Sequence, residues 1–263
     1  TALGAALIKS ALDDRGLHGK LVNIYVDFAH RIGVGLNEFL VGLTNASGAG
    51  EVLFSSVLFD LEEVYIDDYT STFLPPDITD HTVLRGFPFS TNHLLKALRG
   101  ECEAFVEEHA QGILAENPRV VGFSVTAYSV MASLALARAL TNKAPDLQIV
   151  FGGSYFHGRI GETLFKTFEF IDYLVADEGD LVAPLLFARL ARGEDPGPLP
   201  GVWDRRRPER FTRGSVISGS AFNELPYPDY EDYFQRLDKY GLRGTGGVTG
   251  YREGTRGFIW GKT

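Results

Sequence analysis

Apolar and polar positions alternate along the chain in blocks that switch period several times. Leu3 to Leu12 is rich in Ala and Leu and runs into Asp13-Asp14-Arg15-Gly16, which predicts a helix stopped by glycine. Lys20 to Asp27 carries Leu-Val-Asn-Ile-Tyr-Val and reads as a strand. Residues 32–88 mix apolar pieces (39–43 and 52–59) with acidic turns, and predict short helices and loops. From Asn92 to Glu116 the residues Leu94, Leu98, Cys102, Phe105, His109 and Ile113 recur three to four apart, the period of one helix face.

From Arg119 the pattern becomes regular. Val120 to Ser124, Leu147 to Phe151 and Ile171 to Ala176 are short apolar runs that predict strands. Between and after them Ser129 to Asn142, Glu162 to Phe168 and Leu181 to Arg192 predict helices. Apolar strands alternating with helices predict an α/β fold: a Rossmann-like, doubly wound parallel sheet with helices on both faces. The first strand of such a sheet is expected to be missing from the chain, because a helix opens it. Gly193 to Pro200 is a Pro/Gly linker, followed by a short strand at Gly201 to Asp204 and the turn Arg205-Arg206-Arg207. The expected organisation is a binding domain over 1–200, a connector over 201–250 and the start of a further domain over 251–263.

Composition narrows the function classes. The chain has 263 residues, 44% hydrophobic and 22% charged, with a formal net charge of −9, so it resembles an ordinary globular protein and offers a phosphate backbone little attraction. Nucleic acid is therefore not an expected partner. No apolar run approaches the roughly 18 residues of a membrane span, so no membrane segment is expected. One cysteine, Cys102, rules out an internal disulfide and suits a cytoplasmic location. It sits on an apolar helix face and reads as a buried structural thiol.

In a parallel α/β sheet, ligands bind beyond the carboxyl ends of the strands. The loops expected there are Ser124-Val125-Thr126-Ala127-Tyr128, then Gly152-Gly153-Ser154-Tyr155, then Asp177-Glu178-Gly179-Asp180. Hydroxyls of Ser124 and Thr126 beside a helix N-terminus can cap it or bind a polar group, and Gly152-Gly153 lets backbone approach a ligand. Each loop taken alone is equally at home as a cap or turn. His157 follows Gly-Gly closely and is a candidate cofactor contact. His30, in Asp27-Phe28-Ala29-His30-Arg31-Ile32-Gly33, stands three residues after Asp27, not two as in the cobalt-ligating Asp-x-His-x-x-Gly motif, and reads as an ordinary histidine. No zinc-ligand spacing, Gly-x-Ser-x-Gly elbow or Walker loop is present.

The order Ser-x-Thr, one helix and one strand, Gly-Gly, then Asp172-Tyr173-Leu174-Val175-Ala176-Asp177-Glu178-Gly179-Asp180 resembles the cobalamin-binding domains fused to radical-SAM enzymes. It departs from them at Asp177 (for Gly) and Asp180 (for Glu). Pro200-Gly201-Val202-Trp203 and Leu225-Pro226-Tyr227-Pro228-Asp229-Tyr230 resemble their connector. Thr255-Arg256-Gly257-Phe258-Ile259-Trp260-Gly261 resembles the opening of their catalytic barrel, in a form similar to radical-SAM methyltransferases that mature ribosomal peptides. The resemblance implies cobalamin held by Ser124, Val125, Thr126, Ala127, Tyr128, Gly152, Gly153, Ser154, His157, Asp177, Glu178 and Gly179. It implies a 4Fe-4S cluster and SAM only in a full-length relative, and a peptide or natural-product substrate. Phe258 stands where those enzymes carry their first cluster cysteine, and phenylalanine cannot ligate iron. A non-catalytic cobalamin carrier, sensor or degenerate scaffold is the alternative, and a nucleotide-binding doubly wound domain a weaker third.

Overall fold

The computed structural model describes residues 3–74, 90–208, 214 and 223–244. The expected barrel opening at 251–263, with Phe258, Trp260 and Gly261, lies outside the described residues, as do 75–88 of the stretch read as short helices. The chain divides into two compact units. One takes in residues 3–27, 119–124 and the described residues from 148 onward; the other takes in the described residues of 28–118 together with 125–147.

The first unit is built on a four-stranded sheet: β1 (Val120–Ser124), β2 (Gln148–Gly152), β3 (Tyr173–Val175) and β4 (Val202–Asp204), in that spatial order. β1, β2 and β3 are parallel, and β4 runs antiparallel to β3. Register places Gly122 beside Val150 and Val150 beside Tyr173, so these three share a face, while Phe123, Phe151, Leu174 and Trp203 share the other. Both faces are covered at β2 and β3, whose central residues are buried, while β1 is more open. On the first lie α1 (Leu3–Asp13) and α9 (Val182–Ala191): Ile8 and Ala183, Leu186 and Leu190 pack against Val150, Tyr173, Val175 and Val202. An added Cβ on Gly122 would come within 2.4 Å of Phe187 Cζ, so that ring would have to shift. On the second lie a 3-10 turn (Ser154–Phe156) and α8 (Gly158–Thr167): Phe156 meets Phe151 at 5.0 Å between ring centroids, and Phe165 meets Trp203 edge-on at 6.1 Å. The protein is thus α/β, with an open, mostly parallel sheet sandwiched between helices. The described strands follow one another in chain order with no reversal among them, so the doubly wound arrangement is not seen within this sheet.

Lys20 to Asp27 is a correction. It forms no strand; α2 (Ile24–Ile32) begins within it. The β-branched alternation that suggested a strand is overridden by tertiary contacts at the helix start. Asp232 Oδ2 accepts from both Asn23 N and Asn23 Nδ2 at 2.9 Å, and Tyr240 Oη donates to Asp27 Oδ1 at 2.7 Å while Arg236 pairs with Asp27 Oδ2. These partners come from α10 (Glu231–Lys239) and the residue after it, so this part of the expected connector folds back onto the N-terminal helices. Lys9 reaches Asp229 at 3.4 Å, and Asp229 N donates to Ala6 O at 3.2 Å.

The second unit is helical. It holds α3 (Val34–Ser47), α4 (Ala49–Leu58), α5 (Val64–Phe73), α6 (Thr91–Ala115) and α7 (Val130–Lys143), with α4, α6 and α7 in mutual contact. Ser90 caps α6 by accepting from His93 N at 3.2 Å. The buried stripe of α6 runs through Leu95, Leu98, Cys102, Phe105, Val106 and Ala110, so it is rotated slightly from the expected face: Leu94, His109 and Ile113 lie at its margin. Phe105 and Phe54 both pack on Phe28, with centroids 5.0 and 5.5 Å away. Among the described residues no helix of the protein is long and apolar enough to cross a membrane.

Candidate functional site

The carboxyl ends of β1, β2 and β3 lie side by side because the three strands are parallel and in register. Ser124 is the register partner of Gly152, which brings the first and second expected loops together at the strand ends. The Oγ of Ser124 lies 3.4 Å from where a Cβ on Gly4 would stand, so the start of α1 passes close over this end of β1.

The glycines of the site each have a packing or backbone reason. Gly153 adopts φ 100° and ψ 172°, a conformation essentially confined to glycine, which turns the chain from β2 into the 3-10 turn. A Cβ on Gly152 would press on Val175 Cβ at 3.3 Å, and one on Gly179 would press on Val175 Cγ1 at 3.2 Å. The carbonyl of Gly179 accepts from Ala183 N at 2.8 Å and so opens α9. Asp172, the start of the Asp-Tyr-Leu-Val phrase, is also structural. Its carboxylate accepts from Ile149 N at 2.7 Å and its N–H donates to Ile149 O at 3.0 Å, which ties β3 to β2.

The chemistry at these strand ends centres on His157. Phe156, fully buried, anchors the 3-10 turn, and His157 follows it at the threshold of α8 with its side chain 70% exposed. The ring Nδ1 lies 3.2 Å from Ala176 O and 3.3 Å from Asp177 Oδ1. Both are acceptors, so the ring proton that faces them is on Nδ1. Among the described residues Nε2 has no hydrogen-bond partner. Asp177 is fixed in turn, its Oδ2 accepting from Gly214 N. Asp177 is one of the two residues at which the chain departs from the phrase it resembles, and that departure supplies the carboxylate. Ser154 is exposed beside this pair, while Glu178 and Gly179 are half-buried at the end of β3.

The first loop divides. Val125 is completely buried in the core of the helical unit, and its side chain is unavailable to a ligand. Thr126, Ala127 and Tyr128 are exposed, with Tyr128 at φ 66°. Ser129 closes this turn, donating from Oγ to Thr126 O at 2.9 Å and accepting from Thr126 N at 3.3 Å. Neither Ser nor Thr caps α7. That role falls to Glu51 of α4, whose Oε2 accepts from Met131 N at 3.0 Å. Sequence reasoning missed it, because a cap reached from 80 residues away leaves no local signal.

The chain matches no known protein family and no curated protein. The remaining cluster of cations is structural: Arg205 serves carbonyls of α8, Arg206 pairs with Asp204 and reaches Tyr173 Oη, and Arg207 pairs with Asp195 and Asp204. Burial beside Asp204 pushes the Tyr173 phenol up to about 12. Cys102 is fully buried with its thiol pushed up to about 12 by desolvation, so it is neither a nucleophile nor a ligand. Asp27 is committed to Arg236 and Tyr240. Among the described residues no group of three His, Cys, Asp or Glu could hold a metal ion.

Proposed function

We propose that this chain holds cobalamin at the carboxyl ends of β1–β3, as the cofactor-binding module of a radical-SAM enzyme, with a methyltransferase acting on a peptide as the favoured class. The observation that carries the reading is the His157–Asp177 pair standing at the same strand ends as Ser124 and Gly152-Gly153. A metal ion taken from solution needs several protein donors, whereas a corrinoid brings its own ring of nitrogens and needs at most one or two from the protein. The donor set at the strand ends, one histidine among small and polar residues, fits that need. When bound, cobalamin supplies a cobalt centre able to carry a methyl group. The chain's own contribution is to hold and orient it: Ser124 offers a hydroxyl, Gly153 a close backbone approach, Ser154 an uncrowded margin, and His157 a donor.

A specific observation favours a second reading. Phe258 replaces the first cluster cysteine of the resembled enzymes, which fits a cobalamin carrier or sensor without radical chemistry.

Incubating the purified chain with hydroxocobalamin, desalting and recording the visible spectrum tests both readings at their common root. Retention near one equivalent is expected. Ser154→Trp crowds an exposed position without touching the core and is expected to reduce it. No retention by the unaltered chain overturns the proposal. Gly152 and Gly153 are unsuitable probes, because substitution there disturbs β2 and the turn after it.

A further inference from the structure

We infer that a cleft in the helical unit, walled by α5 on one side and the α3–α4 corner on the other, binds a small organic ammonium ion. The inference is independent of the strand-end site and of the cofactor proposed there. The cleft has a volume of about 390 Å³, at the small end of the roughly 300–1,000 Å³ usual for ligand sites. Tyr65, Asp68, Tyr69 and Phe73 stand at positions i, i+3, i+4 and i+8 of α5, so they share one helix face, and all four line the cleft. Opposite them are Ser47, the last residue of α3, and Val52 of α4. Gly48, at φ 81°, lets α3 stop and α4 start within one residue, which makes the corner. Tyr69 is buried, and its Oη lies 2.7 Å from Ser47 Oγ and 3.3 Å from Ser47 O, which ties α5 to that corner. With this hydroxyl engaged by α3, Tyr69 offers a ligand its ring.

Two features select the chemistry of the ligand. The first is aromatic surface: Phe73 is 64% exposed and Tyr65 37%, beside the buried Tyr69. The rings of Tyr69 and Phe73 stack with centroids 5.9 Å apart, so one cation can lie within about 6 Å of both. The second is charge. Asp68 brings a carboxylate to the cleft and no Lys or Arg lines it. Among the described residues no donor or cation meets the Asp68 side chain, whereas its neighbour Asp67 is committed to Lys96 at 2.7 Å and to Asn92 at 2.9 Å. An anion would meet Asp68 and no countercharge. A bare metal ion needs several oxygen ligands, and no group of three ligating side chains occurs among the described residues. A neutral apolar ligand would leave Asp68 unused. An alkylated ammonium uses both features, its charge against the rings and the carboxylate and its methyl groups against the apolar lining. Binding is noncovalent and moves no proton.

The experiment titrates the full chain with choline and, separately, with its neutral isostere 3,3-dimethylbutan-1-ol, followed by saturation-transfer NMR. Choline is expected to bind, and the isostere to bind more weakly by about 3-fold or more. Phe73→Ala should weaken choline binding by about 2- to 30-fold and Asp68→Asn by about 2- to 5-fold. Both residues are exposed, so the variants should keep the parent's circular dichroism and melting temperature. Val41→Ala, which removes an exposed apolar side chain outside the cleft, should leave binding unchanged. Equal affinity for choline and the isostere overturns the inference, and that comparison needs no variant. Choline affinity unmoved by Phe73→Ala and Asp68→Asn, or lowered as much by Val41→Ala, refutes the site. No saturable binding of choline to the parent chain refutes it outright.

Discussion

Replacing Arg205 by alanine tests how α8 is held to the sheet. Its Nε donates to Ile171 O at 2.7 Å and one terminal nitrogen donates to Phe168 O at 2.9 Å and to Phe165 O. The Phe165 carbonyl belongs to the last turn of α8, where a helix leaves its acceptors unpaired. The guanidinium also covers the Phe165 ring, 4.4 Å from its centroid, and Phe165 is 2% exposed. Each bond to a charged donor is worth about 1.5–3 kcal/mol when its partner is buried, water reaching the vacated site recovers part of this, and the lost ring contact adds about 0.5–1 kcal/mol. The net expectation is a loss of about 2–4 kcal/mol. Lysine can neither fork between carbonyls nor lie flat on the ring, so Arg205→Lys should recover less than half. The chain has two tryptophans, Trp203 and Trp260, and Trp203 packs on Phe165. Urea unfolding followed by Trp203 fluorescence in a Trp260→Phe background therefore reports on this corner. The midpoint should fall with the slope unchanged. A loss below about 1 kcal/mol, or a lysine variant as stable as the parent, would refute the reasoning.

Cys102 is expected to resist thiol reagents in the native protein at mildly alkaline pH and to react fully in urea, since burial holds its thiol near 12; native reactivity matching the unfolded rate would contradict its placement. Burial raises the pKa of Glu51 above its ordinary 4.5, against the opposing pull of the Met131 and Val130 N–H groups. The native state then binds a proton more tightly than the unfolded chain, so this residue's contribution to stability falls as pH rises from 4.5 through the raised value and is constant above it. The stability of the parent relative to Glu51→Gln should decline over that window in thermal melts, and a flat or rising difference would show that desolvation does not dominate at this carboxylate.

Much of the α/β unit was legible in the sequence. Val120 to Ser124 and Leu147 to Phe151 are continuous apolar runs, and the second fills β2, whose three central residues are buried as a strand covered on both faces requires. The helices after them announce themselves by Ala/Leu content and by the short polar breaks between. His157 and the strand-end glycines could be named because parallel strands put their following loops at one end. What the pattern could not show was why those residues are there. Gly152 and Gly179 answer to Val175, and Asp172 to the Ile149 backbone, and such contacts between elements leave no periodic trace.

The sequence by itself determined the class of fold, the identity of the parallel strands and the short list of polar groups at their ends, because local periodicity and turn chemistry suffice for these. Only the tertiary structure decided that residues 24–32 are helix, since their strand-like composition yields to Asp232, Arg236 and Tyr240 more than 200 positions away. Only it decided that β4 runs against β3, and that Glu51 rather than a local hydroxyl caps α7. Only it turned Asp177 from a mismatch into the partner of His157: the two lie 20 positions apart in the chain, and it takes adjacent parallel strands to set a carboxylate and an imidazole within reach of each other.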